Sequence, residues 1–277
     1  MVVAELKLKK FDMRMITDEC VVVLLGKRFT GKSVLVKNLL SYHTDIPLGV
    51  VISPTETSNK YFGDFVPGMF IHDEFTPKIL DNVVRRQKAA VKAMQKEKES
   101  FGTSNMDPRG FLILDDCMYD NKWTKDINMR FLFLNGRHAK VLMLLSLQYA
   151  LGMPPTMRSN IDFTFILREN SMVNRRKIFD NYAGMFNSFE LFCTVMDQCT
   201  NNFECLVVNN RTTSNKLEDQ VFWYKAPMNA QPFKLCSPQY WALDRQCSKK
   251  DNDETEELFD LEKLRKGARI NVKVVKA

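Results

Sequence analysis

Residues 21–35 read VVVLLGKRFTGKSVL, and no other stretch so narrows what this chain can fold into. Five apolar residues, three of them Val, suit a strand buried on both faces. They lead into Gly26-Lys27-Arg28-Phe29-Thr30-Gly31-Lys32-Ser33, the pattern G-x-x-x-x-G-K-[ST] of a phosphate-binding loop. Gly26 and Gly31 let the backbone turn sharply and approach phosphate oxygens. The N–H groups of the loop and of the helix that follows then point at the anion. In that arrangement Lys32 reaches the β- and γ-phosphates, and the Ser33 hydroxyl holds Mg²⁺. The stretch therefore predicts strand, loop and helix, and a bound nucleoside triphosphate.

A second apolar run, FLILDD at 111–116, ends in two carboxylates about 80 residues later. In an open parallel sheet ligands bind at the carboxyl ends of the strands, where the phosphate loop also lies. Asp115 is thereby placed to hold Mg²⁺ through water, and Asp116 to polarise an attacking water as general base. A third run, VLMLLSLQ at 141–148, ends in an amide, so Gln148 is a candidate to bond the γ-phosphate or the lytic water. Arg137 and Arg158, which flank this strand at a distance, are candidates for an arginine stabilising transition-state charge, in cis or on a neighbouring subunit. His138 reads as a packing residue.

The remaining chain supplies a frame for these residues. Residues 4–11 alternate apolar and polar and read as a short half-exposed strand. Buried strands are expected at 48–53 and 163–167, with a short one at 70–72, and 55–68 reads as surface loop. A long helix is expected from 76 to about 99, with Thr76 as N-cap and Pro77 at the first helical position. It carries seven Lys or Arg against three acids, suiting either a solvated face or phosphate contacts. Residues 172–192 read as one helix, and 203–209 with 220–225 as a hairpin on the sheet edge. The domains expected are an N-terminal strand or arm at 1–19, a P-loop ATPase domain at 20–245 and a charged tail at 246–277. In the tail, residues 251–262 hold seven acids and no base, and 263–276 six bases and no acid.

Composition adds limits. The chain has 277 residues, 45% of them hydrophobic and 26% charged, as in a globular protein, and its net charge of +7 suits a polyanionic partner. Its seven cysteines form no C-x-x-C pair, which fits reduced thiols. The start, MVVAELKLKKFDMRM, lacks the apolar region of a secretory signal, and no stretch approaches 18 apolar residues. Neither a membrane span nor a signal peptide is expected.

Taken together, GKRFTGKS, LILDDC, NGRH, VLMLLSLQ and PPTMRSN resemble the genome-packaging ATPases of nucleocytoplasmic large DNA viruses, in the FtsK/HerA branch of P-loop motors. The resemblance covers about residues 18 to 245. It implies a RecA-like α/β fold, a mostly parallel sheet with helices on both faces, and strand 141–148 inserted between the phosphate-loop strand and the Asp115 strand. It further implies ATP as substrate with Mg²⁺, and a homo-oligomeric ring, most often of six subunits. Such a ring pumps double-stranded DNA into a preformed capsid in the host cytoplasm and works with capsid or portal components. Asp116 stands where many relatives carry Glu, one methylene longer. Arg137, then Arg158, is favoured as the trans finger. Alternatives with the same centre are a helicase or remodelling NTPase and, more distantly, a nucleoside or nucleotide kinase. The placement of Asp116 and Gln148 suits a water nucleophile better than an acceptor hydroxyl, which weighs against the kinase.

Overall fold

The computed structural model describes residues 6–117, 122–228 and 231–247. In chain order the elements are β1 (Val21–Leu25), α1 (Lys32–Leu40), β2 (Gly49–Ile52), α2 (Glu56–Asn59), β3 (Ile71–His72) and α3 (Pro77–Phe101). There follow β4 (Gly110–Asp115), α4 (Lys122–Lys125), α5 (Ile127–Asn135), β5 (Val141–Leu147), α6 (Pro155–Arg158) and β6 (Phe163–Ile166). The series closes with α7 (Met172–Tyr182), α8 (Phe189–Cys199), β7 (Glu204–Asn209), α9 (Leu217–Gln220) and β8 (Val221–Lys225). Backbone contacts divide the chain into a first unit ending at Ser237 and a second beginning at Pro238. Residues 238–247 of the second unit are helical.

Eight strands form one sheet in the order β3-β2-β4-β5-β1-β6-β7-β8. All pairings from β3 to β6 are parallel; β7 and β8 run antiparallel at the edge, as the expected hairpin. β5 lies between β1 and β4, as the resemblance implies. Every residue of β1 and β5 is buried, which is why their sequences are unbroken apolar runs rather than alternating ones.

The strands' period of two separates two cores. Val21, Val23, Leu112, Leu114, Met143 and Leu145 pack on one face with α3, α5, α7 and α8. On the other face Phe11 sits edge-on against Phe163, Phe165, Phe222 and Tyr224. Tyr224 Oη donates to Asn38 Oδ1 at 2.6 Å, which ties α1 to that same face. The sheet thus has helices on both sides, and fully burying each large apolar side chain contributes about 1.5–3 kcal/mol.

Four expectations change. Residues 6–11 form a single bridge, Lys10 with Trp223, because only two main-chain bonds join them to β8; residues 1–5 lie outside the described residues. The stretch 172–192 is two helices, α7 and α8, separated by a turn at 183–187, with Ser188 capping the second through Leu191 N. The loop at 55–68 contains α2 and a 3₁₀ turn at Phe62–Asp64, ends where a second begins (Gly68–Phe70), and buries Phe62, Phe65 and Val66. His138 is exposed rather than packed. The charged blocks at 251–276 lie outside the described residues.

At the amino ends of the strands, three loops meet in an ion network. Asp18 accepts from His43 Nδ1 and from Arg109 Nη1, both at 2.6 Å, and Arg109 also pairs with Asp45 and Asp107. The His43 hydrogen bond, with Arg109, holds the Asp18 carboxyl well below the usual range, down to about 2. A depressed folded-state pKa stabilises above the ordinary carboxylate range and is lost as pH falls toward the folded value. Allowing for solvent screening, the network contributes roughly 1–2 kcal/mol at neutral pH. The wild type should therefore melt above Asp18→Asn at pH 6, with the gap narrowed by more than half at pH 2.5. A gap of equal size at both pH values would show that the pairing is not the source.

Candidate active site

The phosphate loop joins β1 to α1, and its two glycines are set by geometry. A Cβ on Gly26 would stand 2.8 Å from both Leu167 Cβ and Thr30 Oγ1, and Gly31 has φ +93°. Thr30 Oγ1 donates to the Lys27 carbonyl at 2.7 Å, bracing the turn from inside. Lys32 is buried and folds back beneath the loop, where its Nζ donates to the Gly26 carbonyl at 2.5 Å and lies 3.7 Å from Asp116 Oδ1. Burial lowers the Lys32 pKa, against the pull of Asp116 and Asp115. Arg28 and Phe29 stand on the outside of the turn, Phe29 97% exposed with φ +63°.

Asp115 ends β4 opposite Ser146 of β5. Ser53 Oγ, just past β2, donates to Asp115 Oδ2 at 3.4 Å. Burial pushes the Asp115 carboxyl up, and the neighbouring Asp116 adds to this. A desolvated carboxylate of this kind is a hard oxygen donor suited to a divalent cation. Together with the exposed Ser33 hydroxyl at the start of α1 it makes a donor set that fits Mg²⁺. Asp116 turns away from the strand with φ +51°, a conformation Asp tolerates better than most residues. Its Oδ2 accepts from Gln148 Nε2 at 2.6 Å. Its Oδ1 is buried and accepts no hydrogen bond among the described residues. Lys32, Asp116 and Gln148 are thus brought into one cluster from three different strand ends.

An open cleft of about 1060 Å³ extends from this cluster, and Arg28, Asp116, Lys125, Gln148 and Arg158 line it. Arg158 is fixed by its Nη1 donating to the Met153 carbonyl at 2.8 Å. Arg137 lies elsewhere. It pairs with Asp162, a carboxylate 1% exposed that also accepts from Val21 N at 2.8 Å. Val21 begins β1, so Arg137 sits at the amino ends of the strands, roughly 15 Å from the loop at the other end. It cannot reach the phosphates bound by its own chain.

Two further residues act on the loop and were not singled out from the sequence. Glu169 is buried just past β6 and pairs with Lys27 at 2.6 Å while accepting from Ser171 N at 2.7 Å. Tyr61 Oη donates to the Ser33 carbonyl. A weaker signal for Glu169 was present: it stands two residues past FTFIL, after Arg168, near the carboxyl end of a buried strand, whereas Asp115 follows FLIL directly. Tyr61 had none, because it arrives from a segment without periodicity.

No family model matches the chain. An uncharacterized protein of Acanthamoeba polyphaga mimivirus is 34% identical over 278 residues, covering 97% of each chain. Another, from Invertebrate iridescent virus 3, is 38% identical over 211 residues, covering 76% of this chain and 77% of that one. The chain belongs to this family of nucleocytoplasmic large DNA virus proteins. Among solved structures, the genome packaging NTPase B204 from Sulfolobus turreted icosahedral virus 2, in complex with AMP, superposes with a TM-score of 0.51 at 16% identity. It covers 77% of this chain and 100% of that one. The pCW3 conjugation coupling protein TcpA, with a TM-score of 0.54 at 11% identity, covers 76% and 60%. The viral family member described here has the fold of the FtsK/HerA-type P-loop ATPases. Among its described residues no helix is long and apolar enough to cross a membrane.

Proposed function

We propose that the protein is a Mg²⁺-dependent ATPase that moves double-stranded DNA into a viral capsid as a homo-oligomeric ring. The observation that carries this reading is the cluster of Lys32, Asp116 and Gln148 at the mouth of the phosphate loop. Because β5 is inserted between β1 and β4, an amide stands beside the acid that would take the proton. Such a pair suits a water nucleophile.

In the proposed reaction the loop N–H groups, Lys32 and Ser33 hold the phosphates. Ser33 and Asp115 would hold Mg²⁺, which would supply charge neutralisation to the phosphates. Asp116 Oδ1, which accepts no hydrogen bond among the described residues, takes a proton from the attacking water while Gln148 fixes the carboxylate through Oδ2. Arg158, on the cleft, is placed to meet developing charge from within the chain or from an adjoining copy. Arg137 is left with a role in trans, on the phosphates of a neighbouring subunit. The viral origin of the relatives and the net charge of +7 support DNA as the polymer.

Steady-state hydrolysis with Mg²⁺, with and without long duplex DNA over a salt series, tests the reading. A motor that grips phosphates should be stimulated by duplex, and the stimulation should fade steeply as salt rises. Hydrolysis indifferent to DNA at every salt concentration would remove the motor and leave the ATPase.

A further inference from the structure

On the β6–β8 side of the phosphate loop, away from Asp115 in the sheet order, lies a second, smaller cavity of about 150 Å³. Val34, Leu35, Leu167, Phe203, Ala226 and Met228 wall it, and Gly31 forms its floor. Val34 follows Ser33 directly, so the cavity opens one residue beyond the hydroxyl assigned to the metal and phosphates. Phe203 lies against the loop itself: a Cβ on Gly31 would be 3.3 Å from Phe203 Cδ1. Yet Phe203 is 58% exposed, and Met228 and Val34 are exposed beside it. The turn that presents Phe203 places two successive non-glycine residues in the left-handed region, Asn202 at φ +50° and Phe203 at +63°. Asn201 anchors that turn, donating to the Asp197 carbonyl at 2.7 Å and accepting from Arg168 Nη1 at 2.6 Å. The chain thus holds an aromatic ring in an unfavourable backbone conformation, at the edge of the loop, over an apolar floor.

We propose that this cavity receives the purine base of the nucleotide whose phosphates sit on the loop, with Phe203 as the stacking surface. The proposal rests on the reading of the loop as a nucleotide site. A base presents a flat π-face, and an aromatic side chain grips it largely without regard to its substituents. Among the described lining residues Lys225 carries the one strongly hydrogen-bonding side chain, and an ammonium only donates; the Met228 thioether is a weak acceptor. It can serve a ring nitrogen that adenine and guanine share, and among the described lining residues no side chain is a strong acceptor for the adenine amino group. The cavity therefore selects area and flatness. Purines bind better than pyrimidines, and adenine and guanine bind nearly alike.

Titration calorimetry with Mg²⁺ and the β,γ-imido analogues of ATP, GTP and CTP, alongside tripolyphosphate, tests this on the full chain. Phe203→Ala should weaken the ATP and GTP analogues alike, on the order of tenfold, and leave tripolyphosphate unchanged. Phe203→Trp should restore both, and in the wild type the two purine analogues should differ by less than tenfold while the CTP analogue is weaker. Unchanged affinity for the ATP analogue in Phe203→Ala would overturn the proposal. So would an equal loss for tripolyphosphate, or a preference for the ATP over the GTP analogue above a hundredfold. If the wild type bound neither analogue nor tripolyphosphate, the nucleotide reading would fall and this one with it. Tripolyphosphate binding with an indifferent Phe203→Ala would remove the base cavity alone. Because Phe203 is largely outside the core, its truncation leaves the fold in place.

Discussion

Lys32→Ala is expected to lower ATP hydrolysis by two to three orders of magnitude or more, on the scale of removing one preorganised donor from a dry site. The ammonium is buried beneath the loop, 2.5 Å from the Gly26 carbonyl and 3.7 Å from Asp116 Oδ1. It is thus within reach of both the phosphates and the proposed base. Without it, charge building on the γ-phosphoryl group loses the loop's buried cation, and Asp116 loses a positive charge 3.7 Å away. Lys32→Met keeps most of the side-chain volume and serves as the control for packing. If both variants melt near wild type and both fail to release phosphate, the loss lies in the chemistry. Turnover near wild type in either would mean that the loop does not hold the reacting nucleotide.

Much of the fold was legible because this sheet writes itself plainly. Strands buried on both faces are mostly apolar, so VVVLL, FLILD and VLMLLSL stand out, and the residues where the runs stop, Gly26, Asp115 with Asp116, and Gln148, lie at the strand ends where ligands bind in sheets of this kind. That rule singles out Gln148 and, joined to a spacing of about 80 residues from the phosphate loop, Asp115 and Asp116. Glu169 stands two residues past the end of its run, behind Arg168, and no motif attaches to it. Its role on Lys27 depends on a contact between residues far apart in the chain, which periodicity does not register. The helices were harder. α5 exposes Ile127 and Leu134 while burying Met129, Leu132 and Phe133, so its apolar residues do not form one clean stripe. The join between α7 and α8 was hidden by aromatic residues at helical spacing on both sides: Phe179 and Tyr182 belong to one helix, Phe189 and Phe192 to the other. Arg137 shows a different limit. NGRH was rightly placed before its strand, but only the parallel register converts "before" into "the opposite end of the sheet", where a buried Asp162 holds it.

Asp116→Asn is the sharper test of the chemistry, because it changes one atom and keeps the shape. The variant is expected to bind Mg·ATP about as well as wild type and to lose two or more orders of magnitude in turnover, the scale of a positioned general base. Asn retains an oxygen to accept from Gln148 Nε2, so the contact that orients the side chain at 2.6 Å survives. The other position, where Oδ1 accepts no hydrogen bond, becomes an NH₂ that cannot take a proton from water. The left-handed backbone at residue 116 suits Asn as well as Asp, so no strain is added. Binding read by calorimetry with a non-hydrolysable analogue and turnover read by phosphate release should therefore separate. Joint loss of binding and turnover would mean that Asp116 holds the metal or the loop, and the proton acceptor would have to be sought in Asp115. That exchange of roles sits poorly with the structure: burial raises the Asp115 carboxyl and Ser53 donates to it, whereas Asp116 Oδ1 accepts no hydrogen bond among the described residues and lies 3.7 Å from Lys32.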